Sequence, residues 1–454
     1  MLFNSYTFMF AFLPAVLAGY FLLNRLRLFL CSKLWLALAS LVFYGWWNIR
    51  YIPLILLSIL FNYALGRIMH GGRLHPRLLL LAGLAANLLL LLYYKYADFL
   101  ISSWNGLTGS SAALLELVLP LGISFFTFTQ IAYLVDTYRQ QAREYSLVNY
   151  ILFVTFFPHL IAGPILHHKD MMPQFDRLRG KLWNWGNILQ GSLLFCTGLG
   201  KKVILADTLA GYADSGFSSA VYFIDSWVAV LSYTLQLYFD FSGYTDMAIG
   251  IALLFNIVLP QNFNNPYRAI SISGFWRRWH MTLSRFLRDY IYIPLGGNRK
   301  GFWTSIRNVI ITFLLGGLWH GAGWMFLLWG LLHGVGQAVE KIGARIGLTL
   351  PKWLAWALTF SFINVTWVFF RAEEIPVALR LLKGMSGLNG LGLGSAAGLK
   401  WAILLILLLT VVILVRPEQP LKVRGWKTLL AMALIFVFSL FFFNRITPFL
   451  YFNF

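Results

Sequence analysis

Residues 303–340 read WTSIRNVIITFLLGGLWHGAGWMFLLWGLLHGVGQAVE. Two apolar runs, 303–319 and 323–340, approach the roughly 20 residues that cross about 30 Å of hydrocarbon as a helix. Between them lies Leu315-Gly316-Gly317-Leu318-Trp319-His320-Gly321-Ala322-Gly323-Trp324, a histidine among four glycines. Glycines break helices, and broken backbone at membrane depth is tolerated only inside protein or along a wet cavity. An ionisable residue in such a place is a functional candidate by default. Histidine is also the side chain whose ordinary pKa suits proton transfer near neutrality. The bland alternative is a core histidine bonded to a carbonyl at a tight helix crossing. The motif predicts broken backbone between two membrane runs that brings the His320 imidazole beside a cavity.

The same pattern repeats along the chain. Further apolar runs occur near 7–23, 34–47, 52–66, 78–94, 114–134, 147–166, 188–206, 220–238, 244–260, 353–370, 401–415 and 428–443. The expectation is an all-α polytopic membrane protein of 11 to 13 membrane helices, with some runs tilted, re-entrant or interfacial, forming a single domain over 1–454. Composition agrees: 59% of residues are hydrophobic and 11% charged, against about 25% charged in soluble domains. Aromatic residues at 17% suffice for belts at both interfaces. The net charge of +20 sits mainly in short loops, which the positive-inside rule explains and a nucleic-acid face does not. Arg25, Arg27 and Lys33, then Arg67, Arg73 and Arg77, then Arg139 and Arg143, mark cytoplasmic loops. Arg416, Lys422, Arg424 and Lys427 mark another, which puts both termini outside. The uncharged 102–113 segment reads as an external loop, as does the glycine-rich 387–398. Cys31 and Cys196 can build neither a disulfide framework nor a thiolate metal site. The first apolar stretch has no basic region before it and reads as an uncleaved helix.

A second histidine, His280, lies in Phe275-Trp276-Arg277-Arg278-Trp279-His280-Met281-Thr282-Leu283-Ser284-Arg285-Phe286-Leu287-Arg288-Asp289-Tyr290. Read as one amphipathic helix, Trp276, Trp279, Leu283, Leu287 and Tyr290 share a face with His280, and Ser284 is one turn on. Arg285 and Asp289 are spaced to pair. From Arg268 to Arg307 eight basic residues accompany one acid, Asp289. Anionic lipid and the phosphates of a donor explain these charges equally well. Asp240, Asp246 and Asp136 read as structural partners of cations or amides. His159 reads as structural, His333 as packing, and His70, His75, His167 and His168 as loop residues. No serine elbow, zincin or P-loop pattern is present, and no metal site is expected.

With those residues laid out, the chain resembles the membrane-bound O-acyltransferase family, and within it the alginate O-acetyltransferase branch. The resemblance rests on Leu119-Pro120-Leu121-Gly122-Ile123-Ser124-Phe125-Phe126 leading to Asp136-Thr137-Tyr138-Arg139, and on Phe157-Pro158 leading to Ala162-Gly163-Pro164. It continues through Gly200-Lys201-Lys202, Asp240-Phe241-Ser242-Gly243-Tyr244-Thr245-Asp246 and Asn262-Phe263-Asn264-Asn265-Pro266-Tyr267. The block Phe275 to Gly297 and Leu318-Trp319-His320-Gly321 are its most specific parts. The resemblance implies that His320 is catalytic, that His280 is a second active-site histidine, and that tilted helices ring a tunnel joining the two faces.

It further implies acetyl transfer from a cytoplasmic thioester, such as acetyl-CoA, across a bacterial inner membrane to an exported polysaccharide of the alginate or cellulose kind. In that scheme His320 is the general base, and Arg277, Arg278, Arg285 and Arg288, with Trp276 and Trp279, hold the donor. Asp240, Asp246, Ser284, Asp289 and Trp319 serve the tunnel or its frame. No bound cofactor is expected, and the implied partners are an exported SGNH-like acetyltransferase and a polysaccharide secretion complex. Two alternatives stay open: D-alanyl or peptidoglycan acyl transfer on the same fold, and a proton-coupled transporter or flippase. Transporters usually show paired halves, and the N-terminal half holds no counterpart of the His320 segment.

Overall fold

The computed structural model describes residues 1–72, 75–142, 144, 146–177, 181–392, 396–414, 425–443 and 449–450. Arg73, Arg143, Arg416, Lys422, Arg424 and part of the glycine-rich 387–398 stretch lie outside the described residues. Among those described, every regular element is a helix. Six helices are long and apolar enough to cross a membrane: Phe8–Arg25, Ile49–Gly71, Pro76–Thr108, Trp185–Ser219, Phe302–His320 and Lys352–Arg371. Phe29–Gly45, Lys400–Leu414 and Trp426–Phe441 are shorter apolar helices. Leucines such as Leu81, Leu89 and Leu434 face outward, a surface that only lipid can cover at this density.

Local chemistry sets many helix starts. Asn48, Ser146, Asn184 and Ser271 each accept a backbone N–H of the turn they open, relieving donors that a helix N-terminus leaves unpaired. Elsewhere local signals shift the expected spans. The run 114–134 becomes helical only at Ile123, because Pro120 and the left-handed Gly122 (φ 68°) end the extended stretch before it. The segment 102–113, expected to be a loop, is helical as far as Thr108, where Gly109 (φ 71°) closes the helix. The run 147–166 breaks at Phe156, since Pro158 cannot continue a helix whose N–H donors it would need to supply.

The largest difference is central. The runs 220–238 and 244–260 form one helix, Phe223–Leu254, of 32 residues, about 48 Å long at 1.5 Å per residue. No breaker separates the two runs, and Gly243 serves packing instead. A Cβ on Gly198 would lie 2.4 Å from Gly243 O, and one on Gly243 would lie 2.7 Å from Gly198 O. Gly191 and Gly250 repeat this reciprocity at 2.6 Å both ways. The two helices therefore touch backbone to backbone, the close approach that small residues allow in membrane interiors. Most of the Phe223–Leu254 helix is buried, and Phe241 on it packs 4.8 Å from the ring of His280.

Candidate active site

His320 is the last residue of the Phe302–His320 helix, and Gly321 (φ −161°, ψ 151°) leaves the helix in extended form. The expected glycine break is thus narrower than the motif suggested. Gly316 and Gly317 are fully helical, and Gly317 serves to bring in the next helix, Trp324–Arg345. A Cβ on Gly317 would meet Phe326 O at 2.3 Å and Gly330 Cα at 3.2 Å. The imidazole is buried, with 1% of the residue exposed. Its ring lies 4.9 Å from Trp319, 5.0 Å from Trp329 and 5.2 Å from Phe370.

His280 approaches the same tryptophan from another side, its ring 5.8 Å from Trp319 and 4.8 Å from Phe241. The single amphipathic helix expected over 275–290 is instead two short ones, Ile272–Trp276 and Met281–Leu287. His280 is the corner between them, left-handed at φ 43°. Non-glycine residues rarely hold that conformation, and such strain gathers at functional sites. Asn262 secures it. Its Oδ1 accepts the Thr282 backbone N–H at 3.2 Å and the Thr282 hydroxyl at 2.9 Å. The same oxygen lies 3.1 Å from His280 Nδ1. Because a backbone N–H can only donate, that atom is the amide oxygen, so Nδ1 carries the proton in the bond and Nε2 of the neutral ring holds the lone pair. His280, Lys95 and His333 are all near enough to His320 to interact with it electrostatically.

A cavity of about 580 Å³ lies beside the two short helices that flank His280. Trp276, Arg277, Ser284, Arg285, Arg288, Tyr292 and Lys341 are among its walls. Arg285 reaches Asp170 at 3.3 Å and Asp289 at 3.7 Å, and Arg288 holds Asp289 at 2.7 Å. Neither Arg277 nor Lys341 has a carboxylate partner among the described residues, although Lys341 Nζ donates to Ser305 Oγ at 2.5 Å. Neither imidazole lines this cavity. Trp276, on its wall, packs 5.7 Å from Trp329, which packs on His320, so two indoles fill the interval. Trp276 is itself held by His333, whose Nδ1 accepts the indole N–H at 3.1 Å. His333, expected to be simple packing, therefore fixes a wall of the cavity.

Two of the grouped residues lie elsewhere. Trp279 is buried in an aromatic core with Phe263, Phe275 and Trp367. Arg278 donates to Asn264 O at 3.3 Å. Asp240 and Asp246 meet the Gly200-Lys201-Lys202 motif: Lys202 bridges Asp240 at 2.6 Å and Asp207 at 2.8 Å, and Lys201 holds Asp246 at 2.6 Å. Ser284 donates weakly to Trp279 O at 3.4 Å. His167 and His168, expected in a loop, are buried against Asp136 (3.4 Å) and Glu144 (3.1 Å). Tyr290 donates to Asp136 at 2.8 Å, and its hydroxyl lies 2.9 Å from His167 Nδ1. Among the described residues no three His, Cys, Asp or Glu side chains converge as metal ligands.

The family model described as MBOAT, membrane-bound O-acyltransferase family, matches residues 41–372. A peptidoglycan O-acetyltransferase of Helicobacter pylori is 49% identical over 427 residues, covering 87% of this chain and 81% of that protein. A protein named "Probable alginate O-acetylase AlgI" from Pseudomonas aeruginosa is 41% identical, covering 85% and 75%. A teichoic acid D-alanyltransferase of Bacillus subtilis is 30% identical over 45% of this chain and 55% of its own.

The chain belongs to the membrane-bound O-acyltransferase family.

It is accordingly a multi-pass membrane O-acyltransferase, and the transporter reading falls away. Sequence reasoning assigned no role to several residues of the site. Lys95 ends an apolar run and looks like a lysine reaching for the interface. Its Nζ is instead bonded to the main chain at Trp319, 224 positions away. Asn262 and Lys202 stood inside quoted motifs, but only the fold pairs them with His280 and Asp240.

Proposed function

We propose that this O-acyltransferase moves acetyl groups from a cytoplasmic thioester, acetyl-CoA or another, across the bacterial inner membrane for O-acetylation of an exported polysaccharide. The observation that carries the reading is the pair of buried histidines flanking Trp319, one of them locked by Asn262 as a proton donor at Nδ1. In this scheme His320 accepts the proton of the acceptor hydroxyl as its oxygen attacks the thioester carbonyl. The C–S bond then breaks, and the departing thiolate takes the proton back from His320. His280 stands across Trp319 to orient the acyl group. The basic cavity suits the phosphates of a coenzyme, with Arg277 and Lys341 offering charge that no carboxylate among the described residues neutralises. Trp276 and Trp329 must part for the pantetheine arm to pass. The basic face is then cytoplasmic and both termini periplasmic, and an exported SGNH-like protein within a polysaccharide secretion complex receives the acetyl group.

A second reading concerns the acceptor. The 49% identical relative acts, by its name, on peptidoglycan, and this supports peptidoglycan beside alginate or cellulose as the glycan served. The test has two arms. His320→Ala, inserted normally in the membrane, is expected to abolish transfer from acetyl-CoA in vesicles, and retained transfer overturns the catalytic assignment. Ester-linked acetate, measured on each extracted glycan from a deletion strain, is expected to vanish from one of them, which names the acceptor.

A further inference from the structure

The last turn of an α-helix leaves four carbonyls without intrahelical partners, and buried carbonyls must find donors elsewhere. In the Phe302–His320 helix these belong to Gly317, Leu318, Trp319 and His320, and all four are accounted for. Gly321 N–H donates to Gly317 O at 3.3 Å. The Tyr96 hydroxyl donates to Leu318 O at 2.6 Å. Lys95 Nζ donates to Trp319 O at 2.5 Å and lies 3.4 Å from His320 O. The same ammonium reaches Ser124 Oγ, near the start of the Ile123–Tyr138 helix, at 3.1 Å. Two neighbouring side chains from one distant segment thus hold the carbonyls of three consecutive residues, the last of them His320.

Leu92–Tyr96 is π-helical. A π turn advances fewer degrees per residue than an α turn, so adjacent side chains leave it in more similar directions. Such segments recur at functional sites. A cation at a helix C-terminus is ordinary stabilisation when it is exposed. A lysine within an apolar span is not ordinary, because lipid makes it expensive, and here its Nζ lies within reach of three oxygens at a single junction. No carboxylate bonds to it among the described residues.

We propose that Lys95 is a positioning residue for acyl transfer, with Tyr96 as its auxiliary: together they fix the main chain on which His320 stands. The inference rests on the catalytic reading of His320. Removing the ammonium leaves Trp319 O and His320 O without donors and frees the last turn to shift. A displacement of about 1 Å at a reacting group can cost about a hundredfold in rate.

The experiment uses the full chain in detergent with acetyl-CoA as donor and a short soluble oligosaccharide as hydroxyl acceptor, reading kcat and KM by release of free thiol. His320→Ala is run first. If it retains turnover, the reading of the site fails and Lys95 is not in question. With His320→Ala inactive, Lys95→Met is expected to lower kcat by about ten- to a hundredfold while KM stays within about twofold. Lys95→Arg should fall between, and Tyr96→Phe should lose about two- to fivefold through one hydrogen bond. Ethylammonium should restore part of the kcat lost in Lys95→Ala without moving the thermal midpoint; a midpoint that falls in the variant and recovers together with kcat would mark a purely structural role and overturn the proposal. A folded Lys95→Met with wild-type kcat, or one altered only in KM, overturns the proposal. If Lys95→Met does not fold, Lys95→Arg and Tyr96→Phe decide by the same kcat criterion.

Discussion

Replacing Gly317 with alanine tests how the Phe302–His320 helix is held against its neighbour. A Cβ there would sit 2.3 Å from Phe326 O and 3.2 Å from both Phe326 C and Gly330 Cα. All three atoms are backbone, so no side chain can turn away. Restoring an ordinary contact of about 3.4 Å to the oxygen requires the two helices to part by about 1 Å, and overpacking of this kind costs about 1–3 kcal/mol. Alanine's better helix propensity returns up to about 1 kcal/mol. With that return taken in full, the net expectation is a loss of up to about 2 kcal/mol, read as a lower thermal midpoint of the purified protein. Because His320 lies three residues on, turnover of acetyl-CoA should fall at least about tenfold. Gly316 supplies the control: a Cβ there meets only Leu287 Cδ1 at 3.3 Å, the movable end of a side chain. Gly316→Ala should keep its midpoint and most of its turnover. If Gly317→Ala behaves like Gly316→Ala, the backbone-to-backbone seam does not constrain the histidine and the reasoning is refuted.

Three further outcomes follow from named contacts. Lys202→Met leaves Asp240 and Asp207 buried without their shared cation and should cost about 3–5 kcal/mol, whereas Lys201→Met, whose pair is about a quarter exposed, should cost clearly less. Equal thermal midpoints for the two variants would contradict this. Asn262→Ala removes the acceptor that orients His280 and Thr282 and should cut kcat about tenfold with little change in KM; a normal kcat would detach His280 from the chemistry. Arg277→Gln or Lys341→Gln should raise the KM for acetyl-CoA about fivefold, and the wild-type KM should climb with ionic strength as salt screens the cavity. A KM indifferent to both would show that the phosphates bind elsewhere.

Much of this architecture is legible in the sequence because lipid makes the code coarse. An apolar run of membrane length can become little except a helix, so elements were expected near most of the helices found. Boundaries resisted where one residue decides them, as at Gly122 and Pro158. The Phe223–Leu254 helix was read as two because its middle is polar; it continues because no breaker separates the runs, and Gly243 is taken up by packing on Gly198. His320 could be singled out from its own neighbours, since an imidazole among glycines and aromatic residues is anomalous without any partner in view. Lys95, Asn262 and Lys341 could not, because their meaning lies in what they touch far along the chain. His167 and His168 show the same limit: in sequence they adjoin a lysine and an aspartate, and in space they meet Asp136 and Glu144.

Three of the four π-wound segments among the described residues carry a consequence for descent. Leu92–Tyr96, Lys201–Ala206 and Arg288–Tyr292 each accommodate one residue more than a regular helix would. Each also presents a polar group inward: Lys95, Lys202 and Tyr290. Such a winding behaves like a single inserted residue absorbed without breaking the rod. Aligned descendants should therefore show solitary one-residue gaps at these three places, and a cousin lacking the extra residue in the first must have recruited a different donor for the end of its histidine helix.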